Sequence, residues 1–397
     1  MITEVRAPGK LYIAGEYAVV ETGHPAVLIA VDRYLTVRVS PAASDTGHIT
    51  TDQNAGSRLE WYRRGTADSP NSIVIEPDQD QFSFVLAAVR VVEEAAVALG
   101  VQLQVYDLDI TSELDDDSGR KFGLGSSAAV TVATVRALCQ HYRLDLGLME
   151  QLKLALLASI EVQRSGSGGD VAASMFGGWI AYTSFDRQWA RQQRPGRDLL
   201  ELIAAPWPGL SVRPLPPPAH LRLLVGWPGS PASTSRLVDD VQSNTEGADV
   251  SGGQGTGTAT DADEARSPGP GDYAWFLEQS RQCVEDFIDA VDRDDSTGVF
   301  AAIRRNRDLL RGLGELTGTT IETPTLRKLI ETAEAHGGAA KTSGAGGGDC
   351  GIVLIDPESS VSDIDDLLAT WERADIRMLN LHVHQPDAVS DRVSDKE

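Results

Sequence analysis

The chain has 397 residues, 41% hydrophobic and 23% charged, enough for two domains or for one large domain with insertions. Its formal net charge of −23 excludes the basic face of a nucleic-acid or membrane-surface protein, so any anionic partner must be met by a local cluster of donors. Three scattered cysteines, Cys139, Cys283 and Cys350, imply no disulfide framework. No apolar run is long enough to span a bilayer, and "MITEVRAPGK" lacks the apolar centre of a signal peptide, so a cytoplasmic protein is expected.

The opening stretch "APGKLYIAGEYAVVETGHPAVLIAVDRYLTVRVS" is rich in β-branched residues and broken by Gly and Pro. It predicts two or three strands with turns at Pro8-Gly9 and at Gly23-His24-Pro25. Residues 44–72 are polar and suit a hairpin or loop. Phe82, Val85, Leu86, Val89, Val92 and Ala96 then recur at helical spacing, with Gly100 placed to stop the helix. "VQLQVYDLDIT" alternates as a strand does, and residues 148–163 read as a second apolar helix. "RSGSGGDVAASMFGGWIAYTS" predicts a glycine loop, a helical turn and a strand.

"PWPGLSVRPLPPP" is laden with proline and predicts a hinge over residues 206–220, between an N-terminal domain of 1–205 and a C-terminal domain of 221–397. "LRLLVGWPGSPASTSRLV" reads as a strand ending in a small-residue loop. The stretch from Asp240 to Asp272 contains no aromatic, Leu or Ile, so it buries too little surface to offset its ordering entropy; a flexible insertion is expected there. Helices resume at "YAWFLEQSRQCVEDFIDAVDR", "VFAAIRRNRDLLRGLG" and "TPTLRKLIETAEAHG", and the chain closes with loop, strand, helix and strand. Helices lie between strands in both halves, which makes the class α+β in two domains.

Three small-residue loops stand out. "RKFGLGSSAAVTVATVRAL" sets Gly123, Gly125, Ser126 and Ser127 before a helix. Its N–H groups and positive dipole end suit a phosphate, and a serine hydroxyl there suits Mg²⁺. A plain turn with a serine cap accounts for it equally well. No Gly-Lys-Ser/Thr follows the glycines, so it is not the common phosphate loop. "GSGGD" sets Asp170 behind glycines at a helix start, as an N-cap or as a carboxylate close to a substrate. "KTSGAGGGDC" puts three consecutive glycines before the apolar strand "CGIVLI", which favours a loop closing over a ligand rather than a linker.

These loops, in this order and with "APGKLYIAGEYAVV" ahead of them, resemble the three motifs of the GHMP kinase superfamily over nearly the whole chain. Tyr17 in "GEYAVV", the lead-in "GRKFGLGSSAA" and the segment "VGWPGSPASTS" are similar to the phosphomevalonate kinase branch; mevalonate kinases are the alternative.

The resemblance implies a two-domain GHMP kinase fold with the active site in the cleft between domains. It also implies ATP- and Mg²⁺-dependent phosphorylation of (R)-5-phosphomevalonate in isoprenoid biosynthesis, by a monomer or homodimer. Lys10 and Asp170 would be catalytic. Lys121, Gly123, Leu124, Gly125, Ser126, Ser127 and Ala128 would bind ATP, with Ser127 and Glu161 on the metal; Glu161 suits a solvated helix face equally well. Tyr17, Ser233, Thr234, Ser235, Lys341, Ser343, Gly344, Ala345, Gly346 and Gly347 would bind the acceptor. A non-catalytic nucleotide-binding protein and a decarboxylase on the same scaffold are the rival readings.

Overall fold

The computed structural model describes residues 2–386 apart from 54–55, 65–71, 76–79, 117, 164, 230–236, 242, 245–271 and 360–362. Two β-sheets carry the fold. The first holds β1 (Thr3–Ala14), β2 (Pro25–Pro41), β3 (Thr46–Thr51), β4 (Arg58–Arg64), β5 (Ser72–Ile75), β6 (Tyr106–Ser112), β7 (Trp179–Thr183) and β8 (Ser211–Leu215). Its path is β5-β4-β3-β6-β2-β7-β8, with β1 on β2. Only the β3/β6 pairing is parallel among those described. The second sheet is β10 (Ala339–Thr342), β11 (Gly351–Ile355), β9 (Arg222–Trp227) and β12 (Arg377–Leu379), in that order.

Helices α1 (Ser83–Ala98), α2 (Ser126–His141), α3 (Leu148–Val162) and α4 (Gly169–Phe176) belong to the first half. Val85, Leu86, Val89, Val92 and Ala96 of α1 are buried, as their spacing predicts, and Gly100 follows with φ 75°. Two shorter helices, α5 (Arg187–Gln193) and α6 (Leu199–Ala204), come next, each capped by an aspartate side chain. In the second half, α7 (Tyr273–Asp292) pairs with α8 (Ser296–Thr317). There α9 (Pro324–Ala335) and α10 (Ile364–Arg373) close a smaller core around Leu224, Leu329, Ile330 and Trp371. None of the described helices is long and apolar enough to cross a membrane.

Two expectations change. Pro8-Gly9 is not a turn: β1 runs through it, and the register with β2 shifts there as a bulge. A bulge tolerates the missing proline N–H, and a Cβ on Gly9 would lie 2.9 Å from Leu114 Cδ2 and 3.1 Å from Leu124 O. The proline-rich segment 206–220 is not a bare hinge either. It contains β8, which pairs with β7, so the first sheet continues past residue 205. The chain end also returns to that sheet. His384 N–H donates to Ala30 O at 2.9 Å, and Asp32 N–H donates to His382 O at 2.9 Å. Almost all of the insertion predicted at 240–272 lies outside the described residues.

Candidate active site

The first and second glycine loops and the end of β1 converge on one cleft of about 290 Å³. Lys10, from β1, is buried there. Its backbone N–H donates to Leu124 O at 2.9 Å and its Nζ to Gly123 O at 3.0 Å, so strand and loop are held at both levels. The loop then enters α2 through Gly125, which takes the N-cap position in the left-handed region (φ 84°) with no side-chain cap. The serine-cap expectation therefore fails in detail. The consequence is that Ser126 and Ser127 occupy the first turn of α2 with hydroxyls not engaged in capping, beside the N–H groups that lack intrahelical partners. Lys121, Gly123, Leu124, Ser126, Ser127 and Ala128 all line the cleft.

Across the cleft, α4 begins in the same way. Gly168 at φ 79° is its N-cap, and Asp170 sits in the first turn rather than at the cap, with its Oδ1 accepting from Val171 N–H at 2.9 Å. The approach is tight, since a Cβ on Gly168 would fall 2.5 Å from Leu156 Cδ2. Ser167 is fixed from three sides: its Oγ pairs with Tyr12 Oη at 3.0 Å and accepts from Gly169 N–H at 3.1 Å, while its carbonyl accepts from Tyr182 Oη at 2.6 Å. Burial, then the Asp170 charge, raises the Tyr12 phenol well above its usual range, so it stays a neutral hydroxyl.

Glu161 does not join the site. It pairs with Arg90 of α1 at 3.0 Å, while Leu156, Ser159 and Gln163 line the cleft. Two residues separate Glu161 from Ser159, about 200° around a helix, which turns the glutamate away.

The third glycine loop is the β10–β11 connection, and it divides. Gly344 and Ala345 line the cleft, with Asp349. Lys341 does not: it is fully buried, ion-paired with Glu16 and donating to Thr342 O. Ser343 Oγ accepts from Tyr12 N–H at 2.9 Å and donates to Tyr12 O at 2.9 Å, so it fastens the loop to β1 instead of facing the cleft. Gly346 and Gly347 pack against Ile321. The Gly347 N–H donates to Ile321 O at 2.9 Å, and a Cβ on Gly346 would meet that oxygen at 2.2 Å. A valine at 346 would therefore break the loop itself. Tyr17 does reach the cleft, with its Oη donating to Ala345 O at 2.7 Å. Ser233, Thr234 and Ser235 lie outside the described residues.

Sequence reasoning missed Glu16, Tyr12, Ser167 and Arg187, which also line this cleft. Arg187 comes from α5 and donates to Gln163 O at 2.9 Å and to Gly166 O, bracing the second glycine loop. Burial lowers its guanidinium to about 10. Glu16 was legible as the residue before Tyr17 in "GEYAVV"; Arg187 had no local signal.

Residues 83–178 match the model for the GHMP kinases N terminal domain, and residues 287–371 match that for GHMP kinases C terminal. A phosphomevalonate kinase from Streptomyces sp. strain CL190 is 41% identical over 384 residues, covering 94% of this chain and 95% of that protein. The chain belongs to the GHMP kinase family. It is a phosphomevalonate kinase homologue over nearly its full length. The structure of Streptococcus pneumoniae phosphomevalonate kinase in complex with phosphomevalonate and AMPPNP superposes with a TM-score of 0.77 at 26% identity, covering 96% of this chain and 99% of that one. A mevalonate kinase from Thermococcus sibiricus is more distant, 28% identical over 360 residues, covering 89% of each chain.

Proposed function

We propose that the chain transfers the γ-phosphoryl group of ATP to the phosphate of (R)-5-phosphomevalonate, giving (R)-5-diphosphomevalonate and ADP. The observation that carries this reading is the convergence of Lys10, the Gly123–Ala128 loop and Asp170 on one cleft. The near full-length likeness to a phosphomevalonate kinase supports the choice of acceptor.

In this reading an acceptor phosphate oxygen attacks the γ-phosphorus as the bond to the β–γ bridging oxygen breaks, and ADP leaves. The first turn of α2 and the loop N–H groups hold the nucleotide phosphates. Lys10 neutralises charge on the transferring group, the main task in a loose transition state. A phosphomonoester has its second pKa near about 6, so the acceptor is mostly a dianion at neutral pH and needs no base to activate it. Asp170 therefore positions the acceptor rather than abstracting a proton.

The cleft fits Mg²⁺ held largely by phosphates. Its donors are oxygens, including the Ser127 hydroxyl and the Asp170 carboxylate, and the described residues hold no group of three or more His, Cys, Asp or Glu side chains that would cage a metal alone. Ser127 is the residue assigned to it, and when bound the ion supplies charge neutralisation on the phosphates. The three cysteines are buried free thiols, in keeping with a cytoplasmic enzyme.

The test is incubation with ATP and Mg²⁺ and, in parallel, mevalonate, phosphomevalonate and diphosphomevalonate, following ADP and CO₂. ADP from phosphomevalonate alone, without CO₂, is expected. ADP from mevalonate alone, or CO₂ from diphosphomevalonate, would overturn the assignment.

A further inference from the structure

Glu16, in the turn after β1, and Lys341, on β10 of the second sheet, form a buried ion pair. Such a pair is costly to bury, so its place in the molecule needs a reason. It lies at the foot of the third glycine loop. The same turn after β1 grips that loop at two further points: Gly344 N–H approaches Glu16 Oε1 at 3.4 Å, and Tyr17 Oη donates to Ala345 O at 2.7 Å. Tyr17 pays for its reach with strain, having φ 62° and ψ −55°, a region side chains rarely occupy.

We propose that Glu16, Tyr17 and Lys341 are positioning residues that clamp the third glycine loop onto the end of β1 and so fix the Gly344–Ala345 backbone at the cleft. Lys341, which the family resemblance assigns to the acceptor, does not line the cleft. Its ammonium is sealed from solvent with Glu16 and Thr342 O as acceptors. Burial draws its pKa down, and the Glu16 charge beside it opposes that. The inference rests on the cleft being the place of phosphoryl transfer.

Three variants test it: Lys341→Met, the double variant that adds Glu16→Gln, and Tyr17→Phe. Lys341→Met leaves a carboxylate buried without its partner, and displacement of the loop by about 1 Å lowers kcat by about 100-fold. In the double variant the lone charge is gone, and most of that loss is regained. Tyr17→Phe, the conservative change, raises KM for phosphomevalonate by about 10-fold by leaving Ala345 O unpaired. Hydrogen exchange of the 343–349 amides in the substrate-free proteins gives a readout independent of turnover. It is expected to quicken in Lys341→Met and Tyr17→Phe and to slow again in the double variant. A double variant as inactive as Lys341→Met, with exchange restored, would show that Lys341 contacts substrate and overturn the proposal. Wild-type exchange in Tyr17→Phe would also overturn it. If the wild-type protein leaves phosphomevalonate untouched while exchange follows the expected pattern, the clamp stands and the assigned activity falls.

Discussion

Substituting Gly125 by alanine separates the geometry of the phosphate loop from its stability. Gly125 has φ 84°, and an added Cβ would lie 3.0 Å from Lys10 Cε and 3.1 Å from Lys10 Cγ. The left-handed backbone costs an alanine about 1–2 kcal/mol. Against a total stability of about 5–15 kcal/mol, the variant still folds. The steric effect is the larger one for function. Non-bonded carbons prefer about 3.5–4.0 Å, so the lysine stem must retreat by about 0.5–1 Å. A misplacement of that size at a reacting centre costs about 10- to 100-fold in rate, so kcat should fall by that factor. Steady-state ADP release, with circular dichroism to confirm folding, makes the measurement. A folded Gly125→Ala protein with unchanged kcat would refute the role of Lys10 contact in the loop geometry.

Gly312 is the opposite case. It is exposed on α8 with open space where a Cβ would go, so Gly312→Ala should raise stability by about 0.5–1 kcal/mol in urea unfolding and leave kcat unchanged. His336 supplies a pH dependence. The Thr332 carbonyl and then Asp366, 3.0 Å from Nε2, raise its pKa in the folded state. Its stabilisation is thus fully present below the unfolded value of about 6.5 and is lost as pH rises through the raised folded value. The unfolding midpoint of His336→Gln should fall below wild type in mildly acidic buffer and match it in alkaline buffer; equal deficits at both would contradict the assignment.

Much of this molecule could be read locally. The period of Val85, Leu86, Val89, Val92 and Ala96 marked the buried face of α1, because a helix repeats its environment every three to four residues. The glycines at 123, 125 and 168 marked loops with left-handed backbones beside helix starts, because few other residues tolerate that conformation. Which side-chain or backbone group capped each helix was not legible. Serine and glycine are both acceptable N-caps, and only the packing of Gly125 against the Lys10 stem selects the glycine.

By itself the sequence determined the order and type of the main elements and the three glycine loops. Those depend on short-range periodicity and backbone tolerance. Only the tertiary structure decided that Glu161 turns toward Arg90, that Lys341 is sealed against Glu16, and that Gly346 and Gly347 serve Ile321 rather than the cleft. Each of these outcomes depends on a partner distant in sequence, Lys341 lying 325 residues from Glu16, and on whether the contact site is open or buried. A motif specifies which residues are present in a loop; burial and long-range contacts determine which of them are free to meet a substrate.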